Sequence, residues 1–394
     1  MNPANYLDVL RLPKVRPSML LMLLARIPTT ASAMTLTLHV VLALDKGYGA
    51  AGLVGTAGTI GIALGAPLMG RLIDRRGLRT VMVLSTVTEG LFWFTAPSLS
   101  YPVLLVTSLL SGITVLPMMS IGRQVLTALV PVAQRRTALA MDSMAVEVSY
   151  MAGPALGVLL TTTADSRTAL WIVGAAMVAS GVALWIANPP VRNEEEAFAG
   201  ERPPRREWLT PAVLALLVTS SGAILVLAGT EVALVAALQE QGHVQWTGVL
   251  VIGMCLASMV GGFVYGGLAK APTPRFLMAT MGLLAIPVGL ATGSLWVLAL
   301  ALLPANFLAA PMIASSGEVL TRLTPAAVRG EAMGLQGSAF TVGAAFGGPL
   351  AGFVIDHSSA GWGFAAVGAA GAGIAGIGAL VDRRAGRREV VQVG

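Results

Sequence analysis

Apolar runs long enough to cross a membrane follow one another along nearly the whole chain, separated by short polar breaks marked by Pro, Gly or a few charges. A transmembrane helix needs about 20 apolar residues. The pattern predicts twelve spans, over 18–44, 50–72, 79–97, 102–129, 137–162, 168–188, 210–238, 246–268, 275–293, 295–323, 331–356 and 361–382. The break near Gly293-Ser294 is the shortest and predicts a tight hairpin. The longest polar stretch, around VRNEEEAFAGERPPRREW, falls at the middle. It is rich in Pro and charge and reads as a linker. The expected organisation is a six-helix half over 1–190, a cytoplasmic linker over 191–209 and a second six-helix half over 210–394.

Composition agrees with this pattern. The chain is 55% hydrophobic and 11% charged, against about 25% charged in soluble domains. The expected fold class is an all-α integral membrane protein. The N-terminal residues show no cleavable signal pattern, so the first span is read as its own insertion signal. With both termini in the cytoplasm, 21 of the 25 Lys and Arg residues face inward, Lys46 and Arg167 face outward, and Arg26 and Arg123 lie within spans. That asymmetry is the positive-inside pattern. Arg outnumbers Lys 22 to 3, a codon bias that points to a bacterial inner membrane. One cysteine and three scattered histidines leave no metal site or internal disulfide to expect.

The chain also repeats. PMMSIGRQVLTALVP at 117–131 aligns with PMIASSGEVLTRLTP at 311–325. The same register pairs Ala133 with Ala327 and Arg135 with Arg329. Gly70, Leu72 and Arg79 are echoed by Gly266, Leu268 and Arg275, and Gly153-Pro154 by Gly348-Pro349. Collinear echoes half a chain apart imply two related six-span halves with a binding site between them near the midplane.

At positions 70–79, GRLIDRRGLR resembles the loop signature between spans 2 and 3 of the major facilitator superfamily. Gly70, Asp74, Arg75, Gly77 and Arg79 match it and Leu78 departs. Span 5 partly resembles the Gly-Pro pattern of exporters: Gly153-Pro154 and Gly157 fit, Ala140 and Ser149 do not. Ser108 stands where the family usually has an arginine in span 4. The resemblance implies a monomeric twelve-span transporter, similar to bacterial drug/proton antiporters. It implies that spans 1, 4, 7 and 10 line the cavity. It further implies that Asp74, with Arg75, Arg79 and Asp142, latches the cytoplasmic gate, Asp74 meeting the N-terminal end of span 11 near Gly330–Met333. Lys270 occupies the echoed position of Asp74, so that latch is expected on one side only.

Five acids (Glu89, Asp142, Glu147, Glu231, Glu318) and two arginines (Arg26, Arg123) fall within the spans. A lone charge there is costly, so each should pair, face water or be neutralised. Counting residues places Arg26, Glu89 and Glu147 roughly 15 Å deep, near the midplane. The expectation is that Arg26 holds Glu147 with Glu89 nearby, leaving one acid to carry a proton; a static ion pair is the alternative. Glu231 either attracts a cationic substrate or reaches outward to water. Arg123 and Glu318 pair across the halves, or Glu318 pairs locally with Arg322.

Met34, Met118, Met119, Asn306, Phe307 and Met312 are candidate substrate contacts, since methionine adapts to varied apolar ligands; plain packing is the competing role of each. The expected function is a proton-coupled exporter of lipophilic, possibly cationic, small molecules. The alternative is a transporter of one metabolite, a sugar or an organic anion, with Arg26 as an anion clamp. Neither a nucleophile–base pair nor a phosphate loop is recognisable, so an enzyme is not expected and no cofactor is implied. The basic tail at 382–390 reads as an anchor on anionic lipid rather than a nucleic-acid contact.

Overall fold

The computed structural model describes residues 4–192, 203–268 and 270–392, with side chains described except at 4, 5, 48 and 378–392. The acids Glu194–Glu196, Arg202 and the side chains of the basic tail lie outside the described residues. Among the described residues the chain is helical, without strands.

Among the described residues, eleven helices are long and apolar enough to cross a membrane. They correspond to eleven of the predicted spans. The remaining one, span 3, is the helix Leu78–Thr95. Arg79, Glu89 and four threonines lower its hydropathy, and it packs against span 6, Ser166–Ala187. Gly77, at φ 79°, makes the turn that joins span 3 to span 2, Tyr48–Arg76.

Two spans are broken, and at equivalent places. Span 4 runs as Tyr101–Thr114 and Met118–Leu129; span 10 runs as Leu295–Phe307 and Ala309–Leu323. Pro117 and Pro311 stand at these breaks. A proline lacks the N–H that would bond the carbonyl four residues earlier. Those carbonyls, Ile113 and Phe307, tip onto neighbouring helices. A Cβ on Gly65 would lie 2.1 Å from the Ile113 oxygen, and one on Gly261 1.6 Å from the Phe307 oxygen. The repeat is therefore built into packing: proline break, freed carbonyl and receiving glycine recur in both halves. Pro28, Pro154, Pro304 and Pro349 lie inside continuous helices.

Within the first half, span 1 (Val15–Leu42) packs on span 5 (Arg135–Thr163) and span 6; within the second, span 7 (Pro211–Glu240) packs on span 11 (Arg329–Asp356) and span 12 (Ala360–Gln392). The halves meet through span 2 on span 11 and span 5 on span 8, Thr247–Gly266. Spans 1 and 7 do not pack extensively on each other among the described residues. The halves are closed at the end that carries the arginine-rich hairpins, here called the basic face.

Two features of the basic face were not foreseen. A short helix, Ala4–Arg11, crosses between the halves: the Tyr6 ring stacks on Phe263 at 4.7 Å and its hydroxyl donates to the Phe263 carbonyl. A single turn, Arg205–Trp208, buries Trp208 against Val213, Leu216, Leu320 and Met333.

Candidate functional site

On the basic face, the Asp74 carboxylate accepts from the N–H groups of Gly330 (3.0 Å) and Glu331 (2.8 Å), the first residues of span 11. A helix N-terminus offers unpaired donors and partial positive charge, so a carboxylate fits there. Span 2 reaches it because Gly70 lets the backbones touch: a Cβ there would lie 2.1 Å from the Gly330 oxygen. The cation of this latch is Arg192, from the segment after span 6, whose Nη2 reaches Asp74 Oδ1 at 3.3 Å and the Ala327 carbonyl. Arg205 closes onto Glu331. Arg75 is exposed, and Arg79 lies over Trp185, 5.4 Å from the ring centre. Neither arginine joins the latch, contrary to expectation.

The latch is also not one-sided. Across the interface Arg136 occupies the position equivalent to Gly330. Its Nη1 donates 2.8 Å to the Leu268 carbonyl just past the end of span 8, and its Nε lies 3.3 Å from Glu318. Thr137 donates to Gly266, the echo of Gly70. One side closes with an acid on a helix N-terminus, the other with a base on a helix C-terminus. Opposite charges complement opposite ends of the helix dipole. Glu318 takes both Arg136 and, at 2.5 Å, Arg322; it does not pair with Arg123.

Deeper in, the expected Arg26–Glu147 pair is absent. Arg26 Nη2 meets Asp142 Oδ1 at 2.7 Å, and both side chains are almost completely buried. Asp142 therefore belongs to this pair and not to the latch. The guanidinium fits because position 122 is glycine, where a Cβ would lie 2.2 Å from Arg26 Nη2. Arg123, within electrostatic range of both, donates 2.8 Å to Gln336 of span 11 and lies over Phe340. Gln336 continues to Ser316 of span 10. This buried polar layer ties spans 1, 4 and 5 to spans 10 and 11 and floors the space between the halves.

Above the floor, Glu147 accepts 2.7 Å from Ser258 of span 8. Ser258 in turn accepts from the Ala310 N–H at the break in span 10. One hydroxyl thus links the carboxylate of one half to the hinge of the other. Glu231 of span 7 is exposed and within electrostatic range of Glu147. Tyr150, 55% exposed and one turn beyond Glu147, feels both acids. Glu147 and Glu231 have no basic partner among the described residues. Arg26, buried below them, is not placed as an anion clamp.

Glu89 lies elsewhere, inside the first half, where it accepts from Trp93 Nε1 (2.9 Å) and Ser111 Oγ (2.6 Å). Met118 is a core residue of the first half, and Met312 lies in a core cluster that joins the second half to Leu139 and Ala140 of span 5. Asn306 is buried and donates to the Leu302 carbonyl of its own helix. These three are packing residues. Met34, Met119 and Phe307 are partly exposed. Ser108 donates to the Val54 carbonyl and joins span 4 to span 2. Tyr150 was legible in the sequence from its helical spacing to Glu147. Ser258, Gln336, Arg136 and Arg192 carry no such signal, because each acts only through a contact distant in sequence.

A two-bundle helical membrane protein, closed at one end by paired latches and carrying carboxylates in the space between its halves, has the construction of a transporter. The model of the Major Facilitator Superfamily matches residues 18–291 and 243–393. The chain belongs to that superfamily, whose members are transporters. Solved structures share its fold. The human organic anion transporter MFSD10 (TETRAN) has a TM-score of 0.73 at 19% identity, covering 92% of this chain and 98% of that one. A bacterial homologue of the iron transporter ferroportin, in an outward-facing state, has 0.73 at 16%, covering 93% and 98%. The proton:xylose symporter XylE, bound to 6-bromo-6-deoxy-D-glucose, has 0.70 at 13%, covering 95% of each. Among curated proteins, no sequence matches this chain.

Proposed function

We propose that the protein is a proton-coupled exporter of lipophilic cations, working as a monomer in a bacterial inner membrane with both termini in the cytoplasm. In that orientation the basic face is cytoplasmic, the inner gate is shut and the space around Glu147 opens outward. The observation that carries the reading is the pair Glu147 and Glu231: two carboxylates from opposite halves, within range of each other and without a basic partner among the described residues. Two like charges within range of each other disfavour each other's charged form. A proton or a cationic substrate relieves the repulsion, and the two compete. Competition for one charge is what exchange requires. Ser258 gives the exchange a mechanical reach, since it binds Glu147 and the hinge of span 10 together. The anion-clamp alternative loses its main support because Arg26 is buried and held by Asp142.

The test is uptake of a lipophilic cation such as tetraphenylphosphonium into proteoliposomes, with and without an imposed pH gradient. Transport that depends on the gradient, and is not competed by sugars or organic acids, is expected. Gradient-independent movement, or preference for an anion, contradicts the proposal.

A further inference from the structure

The basic face has two seams, where span 2 meets span 11 and where span 5 meets span 8. The chain between the halves braces the first. Arg192 reaches Asp74, Arg205 reaches Glu331, and Trp208 is buried beside Leu320 and Met333. That brace is covalently tied to both halves. The second seam is braced by the helix Ala4–Arg11, which the chain ties to the first half alone.

The two buried anchors of this helix have different partners. Tyr6 and Val9 stand three residues apart, on one face. Val9 is fully buried in the first half, with Val15 of span 1, Leu126 and Val130 of span 4 and its end, and Ala138 of span 5. Tyr6, 8% exposed, crosses to the second half, where its ring stacks on Phe263 of span 8 and its hydroxyl donates to the Phe263 carbonyl. Gly266 makes the room, since a Cβ there would run into the Tyr6 hydroxyl. Asp8 and Arg11, paired at 3.5 Å, lie on the exposed side. Lys14, at φ 65°, turns the chain from this helix into span 1.

The two attachments are unequal. The first half holds the helix through the chain and an apolar cluster. The second holds it through one ring and one hydrogen bond. A transporter built of two such halves rocks one against the other to open each side in turn. When spans 5 and 8 part, the attachment at span 8 is the one that gives way.

We propose that the helix Ala4–Arg11 is a releasable strap on the gate at the basic face: Val9 keeps it on the first half, and Tyr6 lets go of span 8 each time the gate opens. The hold of Tyr6 on Phe263 favours the shut gate, so the strap sets how often this side opens. It acts on the gate and does not depend on what binds at Glu147.

The test is the rate at which a water-soluble maleimide alkylates a cysteine buried between the halves, in purified full-length protein carrying Cys255→Ser. Ser120→Cys is the reporter, because Ser120 is buried and donates to the Met333 carbonyl of the other half. Its alkylation follows the open population even when that population is small. Ser108→Cys, buried between spans 4 and 2 inside the first half, reports general loosening instead. Tyr6→Ala should speed alkylation at position 120 about tenfold, because a ring stack and a hydrogen bond are both lost. Tyr6→Phe, which keeps the ring, should fall between. Val9→Ser, which frees the other end, should act like Tyr6→Ala. Asp8→Asn should match wild type, and no variant should change the rate at position 108. An unchanged rate at position 120 in Tyr6→Ala, an acceleration that Val9→Ser does not share, or equal acceleration at positions 108 and 120 would overturn the proposal.

Discussion

Arg26 and Asp142 meet at 2.7 Å between spans 1 and 5, both nearly excluded from solvent. With Arg123 alongside, one acid serves two guanidiniums, and the layer that closes the space between the halves depends on it. Removing one partner of a buried pair typically costs about 3–5 kcal/mol, because the other charge is stranded. Asp142→Asn should therefore lower the unfolding temperature in detergent markedly. Arg26→Met added to it should restore part of the loss. Glu147→Gln, which breaks no ion pair, should unfold near wild type. An Asp142→Asn protein as stable as wild type would contradict this role.

The two latches of the basic face make a second prediction. Asp74→Asn keeps shape but removes the charge from two backbone bonds, and Arg136→Ala frees the end of span 8. A hydrogen bond to a charged group is worth about 1.5–3 kcal/mol. Each variant should widen the distance distribution between spin labels on spans 2 and 11, or 5 and 8, at the basic face. The double variant should widen both. Unchanged distributions would reduce both residues to hairpin charges.

Gly65 and Gly261 receive freed carbonyls, and backbone cannot yield as a side chain can. Gly65→Ala and Gly261→Ala should each destabilise by about 1–3 kcal/mol. Gly52, where a Cβ meets nothing within 4 Å, should accept alanine without loss. Thermal unfolding of the three variants distinguishes packing at the breaks from a general intolerance of alanine.

Asp165 caps span 6, accepting from the Arg167 and Thr168 N–H groups and the Thr168 hydroxyl. The Thr168 hydroxyl and backbone bonds hold its carboxyl below the ordinary aspartate range. A depressed folded-state value adds stability above the unfolded value, about pH 4, that fades as pH falls through the folded one. Asp165→Asn should lower stability at neutral pH, where this contribution is full, and flatten the profile in that acid window.

The fold was legible because spans are written in apolar length and because the halves echo one another; Pro117 and Pro311 even mark the breaks. Asp74 was legible because a signature and a helix start fall at the same level. The Arg26 partner was not. Counting residues gives depth but not bearing: Asp142 and Glu147 are five residues apart, about 140° around the helix and about 7 Å along it. The long arginine side chain covers that drop, so depth favoured the wrong acid. Met118 and Met312 show the same limit, since an apolar residue on a lining helix reads alike whether it faces the cleft or the core. Arg136 escaped notice because its role mirrors Asp74 with the charge and the helix end both reversed.

The central claim is that Glu147 exchanges a proton for a cationic substrate. Its most direct test is pH-gradient-driven transport of a lipophilic cation by Glu147→Gln in proteoliposomes, beside wild type at equal protein content. The account predicts that the variant binds the cation but loses the response to the gradient. A Glu147→Gln protein that still follows the gradient at the wild-type rate would contradict it.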